Sequence, residues 1–278
     1  VTTRVDVLAA PAGRARMSPR RRARISRGIQ YGILGLVVVV LAVSTDWSNV
    51  REQVFNLEAA REMLPFLVRA AINTITYTLA AFVVAFTLGL ALALMKMSSV
   101  KVYRVLATAY VEFFRGVPAL LVVLAFAYVI PVAFQVRFES IIVQIALALG
   151  VVSAAYLAET LRAGLQAVPK GQVEAARSLG MSQGQTMLHV VIPQAFRLVL
   201  PPMTNEIVLL TKDTSLVYAM GLTSGQYELT KLGRETLNAS TVGGLTAFVV
   251  IGLVYLMITI PLSALTRYLE RRTGSRVR

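Results

Sequence analysis

Thr204, Asn205 and Glu206, followed by Lys212 and Asp213, put a hydroxyl, an amide and charged groups in and just beyond a predominantly apolar stretch from Val190 to Leu210. An ionisable group at membrane depth costs about 2.5 to 3.5 kcal/mol on the insertion scale, so it faces protein or a water-filled cavity. Glu206 suits the ammonium of a ligand, with Asn205 and Thr204 supplying hydrogen bonds. Glu206 and Asp213 are seven residues apart, which places them on one helical face about 10 Å apart along the axis if the helix continues. The alternative is that Glu206 pairs internally with Arg162 or Lys212 and serves packing. Asn73 and Thr76, with Thr74 and Tyr77, form a second polar group in an apolar run, where lining a pathway and joining packed helices are both open. Glu159 with Arg162, and Glu112 with Arg115, have i, i+3 spacing and read as architecture.

Other chemistries find few residues here. The chain has no cysteine, which excludes disulfides, thiolate zinc ligands and a thiol nucleophile. His189 is the only histidine, so a histidine metal cluster is excluded, and metal ligands are not expected. A Ser-His hydrolase would have to use His189, which falls in a polar loop. No G-x-x-x-x-G-K-[ST] phosphate loop occurs, so this chain is not expected to bind ATP in the usual way.

The elements that carry these residues are apolar segments. Hydrophobic residues make up 56% of 278, charged residues 15%, and mean hydropathy is +0.67, which is too apolar for a soluble globule of this length. Six segments approach or exceed the roughly 20 residues needed to span a bilayer: 28–47, 67–95, 118–134, 141–161, 190–210 and 242–265. The fold class is therefore all-α, a polytopic membrane protein. The net charge of +14 is concentrated at segment ends, with arginines crowding the first 27 residues and the last 12. That distribution favours anchoring and orientation over nucleic-acid binding. Lys96, Lys101 and Arg104, and the loop with Arg162, Lys170 and Arg177, fall on the same side as both basic tails. Both termini are expected in the cytoplasm, with 48–65 and 213–241 outside. The first apolar run is too long for a signal peptide and reads as an anchor. The expected organisation is a basic tail (1–27), an additional helix with an external loop (28–66), a transmembrane domain (67–266) with a cytoplasmic loop at 165–189, and a second basic tail (267–278).

That cytoplasmic loop has unusual local organisation. Val168-Pro169-Lys170-Gly171 suits a type I turn, after which a helix can begin with Glu174 in its first turn, near the positive dipole end. Ala175 and Ala176 add helix propensity with little bulk. Gly180 suits the left-handed position that ends a helix. Ser182 and Gln185 form an S-x-x-Q capping box for a second helix, expected to run to about His189 before Pro193 interrupts it. A helical hairpin with a small-residue surface results.

The run Glu174-Ala175-Ala176, Gly180 and Val190-Val191-Ile192-Pro193 resembles the coupling loop of permease subunits of bacterial ATP-binding-cassette importers. The resemblance covers about 67–265 and is closest to the polar amino acid importers. It also includes Glu112-Phe113-Phe114-Arg115-Gly116-Val117-Pro118, Ala155-Tyr156-Leu157-Ala158-Glu159, Val168-Pro169-Lys170-Gly171-Gln172 and Lys212-Asp213-Thr214-Ser215-Leu216. Many relatives have five spanning helices, and the run 28–47 would add a sixth. The resemblance implies a type I importer (MetI-like) permease fold in the cell inner membrane. Glu174, Ala175, Ala176, Gly180, Ile192 and Pro193 would then engage a separate ATPase carrying ATP and Mg²⁺. Further implied partners are a second permease subunit, the same or related, and an extracytoplasmic amino acid binding protein. Glu206 would meet the amino acid ammonium, and this chain would hold no cofactor and catalyse no reaction. A secondary transporter or channel suits the polar helix residues equally well, but leaves the loop pattern unexplained.

Overall fold

The computed structural model describes residues 19–239 and 243–273. Every regular element among them is helical. The chain divides into two compact units, Val1–Val50 and Arg51–Arg278.

In the first unit, α1 (Pro19–Ser44) begins within the arginines, nine residues before the expected segment. Its apolar side chains from Ile29 to Val43 are exposed, as for a helix facing lipid. Asp46 then accepts from the backbone of Ser48 (3.1 Å) and Asn49 (3.1 Å), starting α2 (Trp47–Val54). These bonds, led by the Ser48 hydroxyl at 2.6 Å, hold the Asp46 carboxyl below its usual range.

In the second unit, α3 (Leu57–Met97) starts ten residues before the expected boundary. The stretch 48–65 is thus helical apart from Phe55 and Asn56, where an external loop was expected. The cause is local: Asn56 caps α3 by accepting from Glu58 (3.0 Å) and Ala59 (3.1 Å), and Pro65 is tolerated inside. Next come α4 (Lys101–Gly116) and α5 (Ala119–Leu124), bent by 103° across the break expected at Gly116-Val117-Pro118. A π-helical turn (Ala125–Val129) leads into α6 (Ile130–Phe134). Gln144 donates to the Phe126 carbonyl (2.8 Å) within that turn.

The α7 helix (Ile141–Gln166) packs against α3 through small residues. Ala81, Ala85, Gly89 and Ala93 recur every four residues on α3, facing Gly150, Ala154, Leu157 and Ala158. A methyl added at Gly89 would stand 3.0 Å from Leu157 Cβ, and one at Gly150 would stand 2.7 Å from Val84. In lipid, where apolar transfer does not drive helices together, such close backbone approach supplies the packing. Buried threonines solve the polar problem in place: Thr74, Thr78 and Thr211 each donate to the carbonyl four residues back at 2.8–2.9 Å.

After α8 (Lys170–Ser178) and α9 (Gln183–Thr186), a π turn (Met187–Val191) runs directly into α10 (Ile192–Asp213). The second loop helix therefore does not stop near His189. Pro193 sits at the start of α10, and the π turn before it takes up the missing amide and the steric demand of the ring. Two short 3₁₀ turns (Thr214–Met220, Ser224–Gln226), α11 (Leu229–Ala239) and α12 (Thr246–Thr273) complete the unit.

Among the described residues, four helical stretches are long and apolar enough to cross a membrane, or five if the bent α4–α6 stretch is one span. The expected segment 190–210 is not among them. Its helix, α10, has 22 residues and so reaches about 33 Å, but it carries Arg197, Glu206, Lys212 and Asp213.

Candidate functional site

Glu206 and Asp213 lie on the uninterrupted helix α10, which continues through Pro201 and Pro202. Both carboxylates are partly buried, at the edge of a stripe formed by the exposed Pro202, Asn205, Leu209 and Lys212. Ser153 on α7 lies beside Glu206, and Asp213 is near enough to interact with it electrostatically. Thr204 turns inward, is buried, and donates to the Leu200 carbonyl (2.8 Å). Glu206, Asp213, Asn205 and Lys212 thus share one polar edge of α10, while Thr204 belongs to its packed side.

Of the two internal partners expected for Glu206, Arg162 is engaged elsewhere, and Lys212 forms no ion pair with it among the described residues. Arg162 pairs with Glu159 (2.6 Å) and donates to Gln166 (2.7 Å), and Lys96 from the end of α3 reaches the other Glu159 oxygen. Glu159 therefore ties α3 to α7. Glu112 and Arg115 form no ion pair among the described residues; Arg115 instead lies over the Tyr156 ring at 5.8 Å.

Asn73 donates to the Gly225 (3.2 Å) and Tyr227 (2.9 Å) carbonyls, so both amide hydrogens hold the segment after α10. Thr76 donates to Ile72 in its own helix (2.8 Å). None of the described hydrogen bonds of these two residues reaches Glu206 or Asp213.

The loop between α7 and α10 is a built hairpin. Pro169 has ψ 132°, so the expected type I turn is absent and Lys170 begins α8. Glu174 consequently lies in the second turn of α8, beyond the amides that a first-turn carboxylate would favour. Gly180 has φ 85°, the left-handed conformation its position requires. Met181 N–H donates to the Ala176 carbonyl (3.2 Å) and Gly180 N–H to that of Arg177 (3.0 Å), the paired bonds of a Schellman ending. Ser182 and Gln185 form the capping box reciprocally, at 3.2 and 2.8 Å. Ala176 is buried, and a small core of Val168, Val191 and Ala195, with Val173 of α8 packed against it, fastens the hairpin to α10. Glu174, Ala175, Ile192 and Pro193 are exposed. Leu179 is 84% exposed at the hairpin tip, a position that none of the sequence motifs singles out. Its signal in the chain is an apolar side chain directly before the hinge glycine.

A helical membrane domain with a partly buried carboxylate edge and an ordered hairpin running into the same helix defines a polytopic transport subunit. The chain belongs to the family of binding-protein-dependent transport system inner membrane components, whose model matches residues 85–275. It is 38% identical over 200 residues to the probable glutamine ABC transporter permease protein GlnM of Bacillus subtilis, covering 70% of this chain and 89% of that one. It is 32% identical over 235 residues to the glutamate/aspartate import permease protein GltK of Escherichia coli, covering 82% and 98%. Among solved structures, an amino acid ABC transporter crystallised with histidines superposes with TM-score 0.70 at 32% identity, over 78% of this chain and 98% of that one. The methionine transporter MetNI in an inward-facing form matches in fold, with TM-score 0.59 at 20% identity, over 75% and 98%. The fold is that of the type I importer permeases, and membership of this family disfavours a stand-alone secondary transporter or channel.

Proposed function

We propose that the chain is the membrane subunit of an ATP-driven importer of polar amino acids, with both termini in the cytoplasm. One observation carries this reading. From Gln183 to Asp213 the chain is helical without a break, so the second helix of the hairpin and the Glu206–Asp213 edge belong to one continuous helical run of about 46 Å of rise. Displacement of the hairpin by closure of partner ATPase subunits would be carried along that run to the binding edge, biasing it between outward-open and inward-open arrangements. Glu174, Ala175, Gly180, Ile192 and Pro193, with Leu179 added, form the docking side. Glu206 meets the ammonium of the amino acid, Asp213 and Lys212 set the charge balance, and Asn205 contributes a neutral hydrogen bond. The names of the relatives, which concern glutamine, glutamate and aspartate, support the substrate class.

The partners in this reading are two ATPase subunits, a second permease facing the α10 stripe, and an extracytoplasmic binding protein. ATP and Mg²⁺ are held by the ATPase. This chain supplies the pathway and no catalytic group.

The test is uptake of labelled glutamine, glutamate and arginine by the reconstituted complex. ATP-dependent uptake is expected, and Glu206→Gln should lower it at least about ten-fold while assembly and basal ATP hydrolysis persist. Uptake that continues without the ATPase, or wild-type kinetics in an intact Glu206→Gln complex, would overturn the reading.

A further inference from the structure

Arg115, in the last turn of α4, is an exposed guanidinium with no ion pair among the described residues. Packing fixes its place. Val111 of α4 shares a core with Ala154, Ala155 and Ala158 of α7, and the Tyr110 hydroxyl donates to the Val151 carbonyl (2.8 Å). Five residues further along both helices, the Arg115 guanidinium lies over the Tyr156 ring, 5.8 Å from its centre, and that ring is 43% exposed. A cation above a ring face is held by the quadrupole of the ring, and none of the N–H groups of the guanidinium is used by it.

The way α7 meets α10 decides which side Arg115 borders. A methyl added at Gly164 would overlap the Val199 side chain, and Leu157 and Leu161, earlier on α7, share a core with Val199 and with Met203, later on α10. The two helices therefore run antiparallel. Seven residues return to the same face of a helix within about 20°, with the same rise on either helix. Seven back from Gly164 is Leu157 and seven on from Val199 is Glu206, so these two face each other at about the same level. An antiparallel pair has a local two-fold axis normal to its plane. The residue before each of the two, Tyr156 on α7 and Asn205 on α10, therefore turns to the same side, and both are exposed there. Arg115 thus borders the edge of α10 that carries Asn205 and Glu206.

We propose that Arg115 takes the α-carboxylate of the transported amino acid, held over Tyr156 and across from Glu206. The inference rests on the reading of Glu206 as the partner of the ammonium. An amino acid brings two charges, and an edge that met the ammonium alone would take water from the carboxylate without replacing it. A guanidinium offers paired N–H donors in one plane to a carboxylate and keeps its charge throughout the physiological pH range. Lys212, further along the same edge, is the rival cation.

The probe is the α-amide of each amino acid, which keeps the ammonium and replaces the carboxylate by a neutral carboxamide. Equilibrium binding of glutamine, glutamate and arginine, each beside its own α-amide, is measured on the solubilised permease–ATPase complex without the binding protein, whose own selectivity is thereby left out. Wild type should bind the transported amino acid at least about ten-fold more tightly than its amide. Arg115→Gln should bring the two within about two-fold, with yield and basal ATP hydrolysis retained. Arg115→Lys, which keeps the charge but not the planar fork, should fall between, and Lys212→Gln should keep the wild-type preference. A wild-type preference in either Arg115 variant, its loss in Lys212→Gln, or no preference in wild type overturns the inference alone. Wild-type binding of the amino acid in Glu206→Gln overturns the reading of the site and this inference with it.

Discussion

Glu206 is partly and Glu228 fully shielded from bulk water, and their surroundings differ. Glu206 lies beside Ser153 with an open side toward the exposed stripe of α10, as the proposed contact with a ligand ammonium requires. Glu228 is enclosed and spends its acceptors on amides and a phenol. It lies outside the spanning helices, and burial pushes its carboxyl up from 4.5 to about 7 against the effect of those bonds. Because the folded value is raised, its contribution to stability is fully present below about 4.5 and is lost as pH rises through about 7, on the order of 3 kcal/mol in all. The melting temperature of the solubilised complex should therefore fall between pH 5.5 and 8.5. The Glu228→Gln complex should melt with a flatter pH profile; an equal slope in both would remove Glu228 as the cause. Glu206 was legible as a carboxylate in an apolar run. Glu228 was not, because it follows a polar stretch in which a carboxylate is unremarkable, and only the packing of α3 and α12 encloses it.

At the scale of elements, two glycines do different work. A methyl added at Gly180 would meet open space, so the role of this glycine is conformational: φ 85° is strained for any side chain, most of all a β-branched one. Gly180→Val should leave the chain inserted and lower stimulated ATP hydrolysis and uptake more than membrane abundance. Wild-type coupling in that variant would show that the hairpin hinge is not part of transmission. Gly150 lies in ordinary helix, and its constraint is steric, with Val84 at 2.7 Å and the Ala81 carbonyl at 3.0 Å from an added methyl. Gly150→Leu should separate α3 from α7 and reduce the amount of folded complex, by a cost of roughly 1–3 kcal/mol or more. Undiminished yield and thermal stability would contradict the close packing described. The hinge glycine was readable from its place between a helix and a capping box. The packing glycine was not, since nothing near Gly150 in the chain says which neighbour it meets.

At the scale of the molecule, the ends of the helices sort consistently. Lys96, Glu159 and Arg162 join the end of α3 to α7 on the side of the hairpin, whereas Asn73 and Tyr77 join the earlier part of α3 to the segment after α10. In the proposed orientation, which puts the basic loops in the cytoplasm, the segment after α10 would face outward. Single cysteines at Ser178 and Ser224, in a chain with no native cysteine, should be protected and labelled respectively by an impermeant reagent applied to intact cells. The reverse pattern would invert the orientation and remove the hairpin from the ATPase side.

Hydropathy, charge clusters, caps and turn residues act over a few neighbours, so the all-α membrane class, the hairpin with its hinge and capping box, and the break at Gly116-Val117-Pro118 could be read along the chain. The same local logic failed where a boundary depended on more than its own residues. Pro193 looked like a stop until the π turn before it absorbed the ring, and Pro169 looked like a turn until its extended ψ made it the residue before a helix. The Glu159–Arg162 pair was legible in its i, i+3 spacing, but tertiary structure alone decided that Lys96 reaches Glu159, that Asn73 holds backbone carbonyls, and that Tyr255 reaches Glu228. These contacts join residues that different helices bring together. A side chain's partner in a packed helical bundle is set by which helix lies opposite, and spacing along one helix carries no record of it.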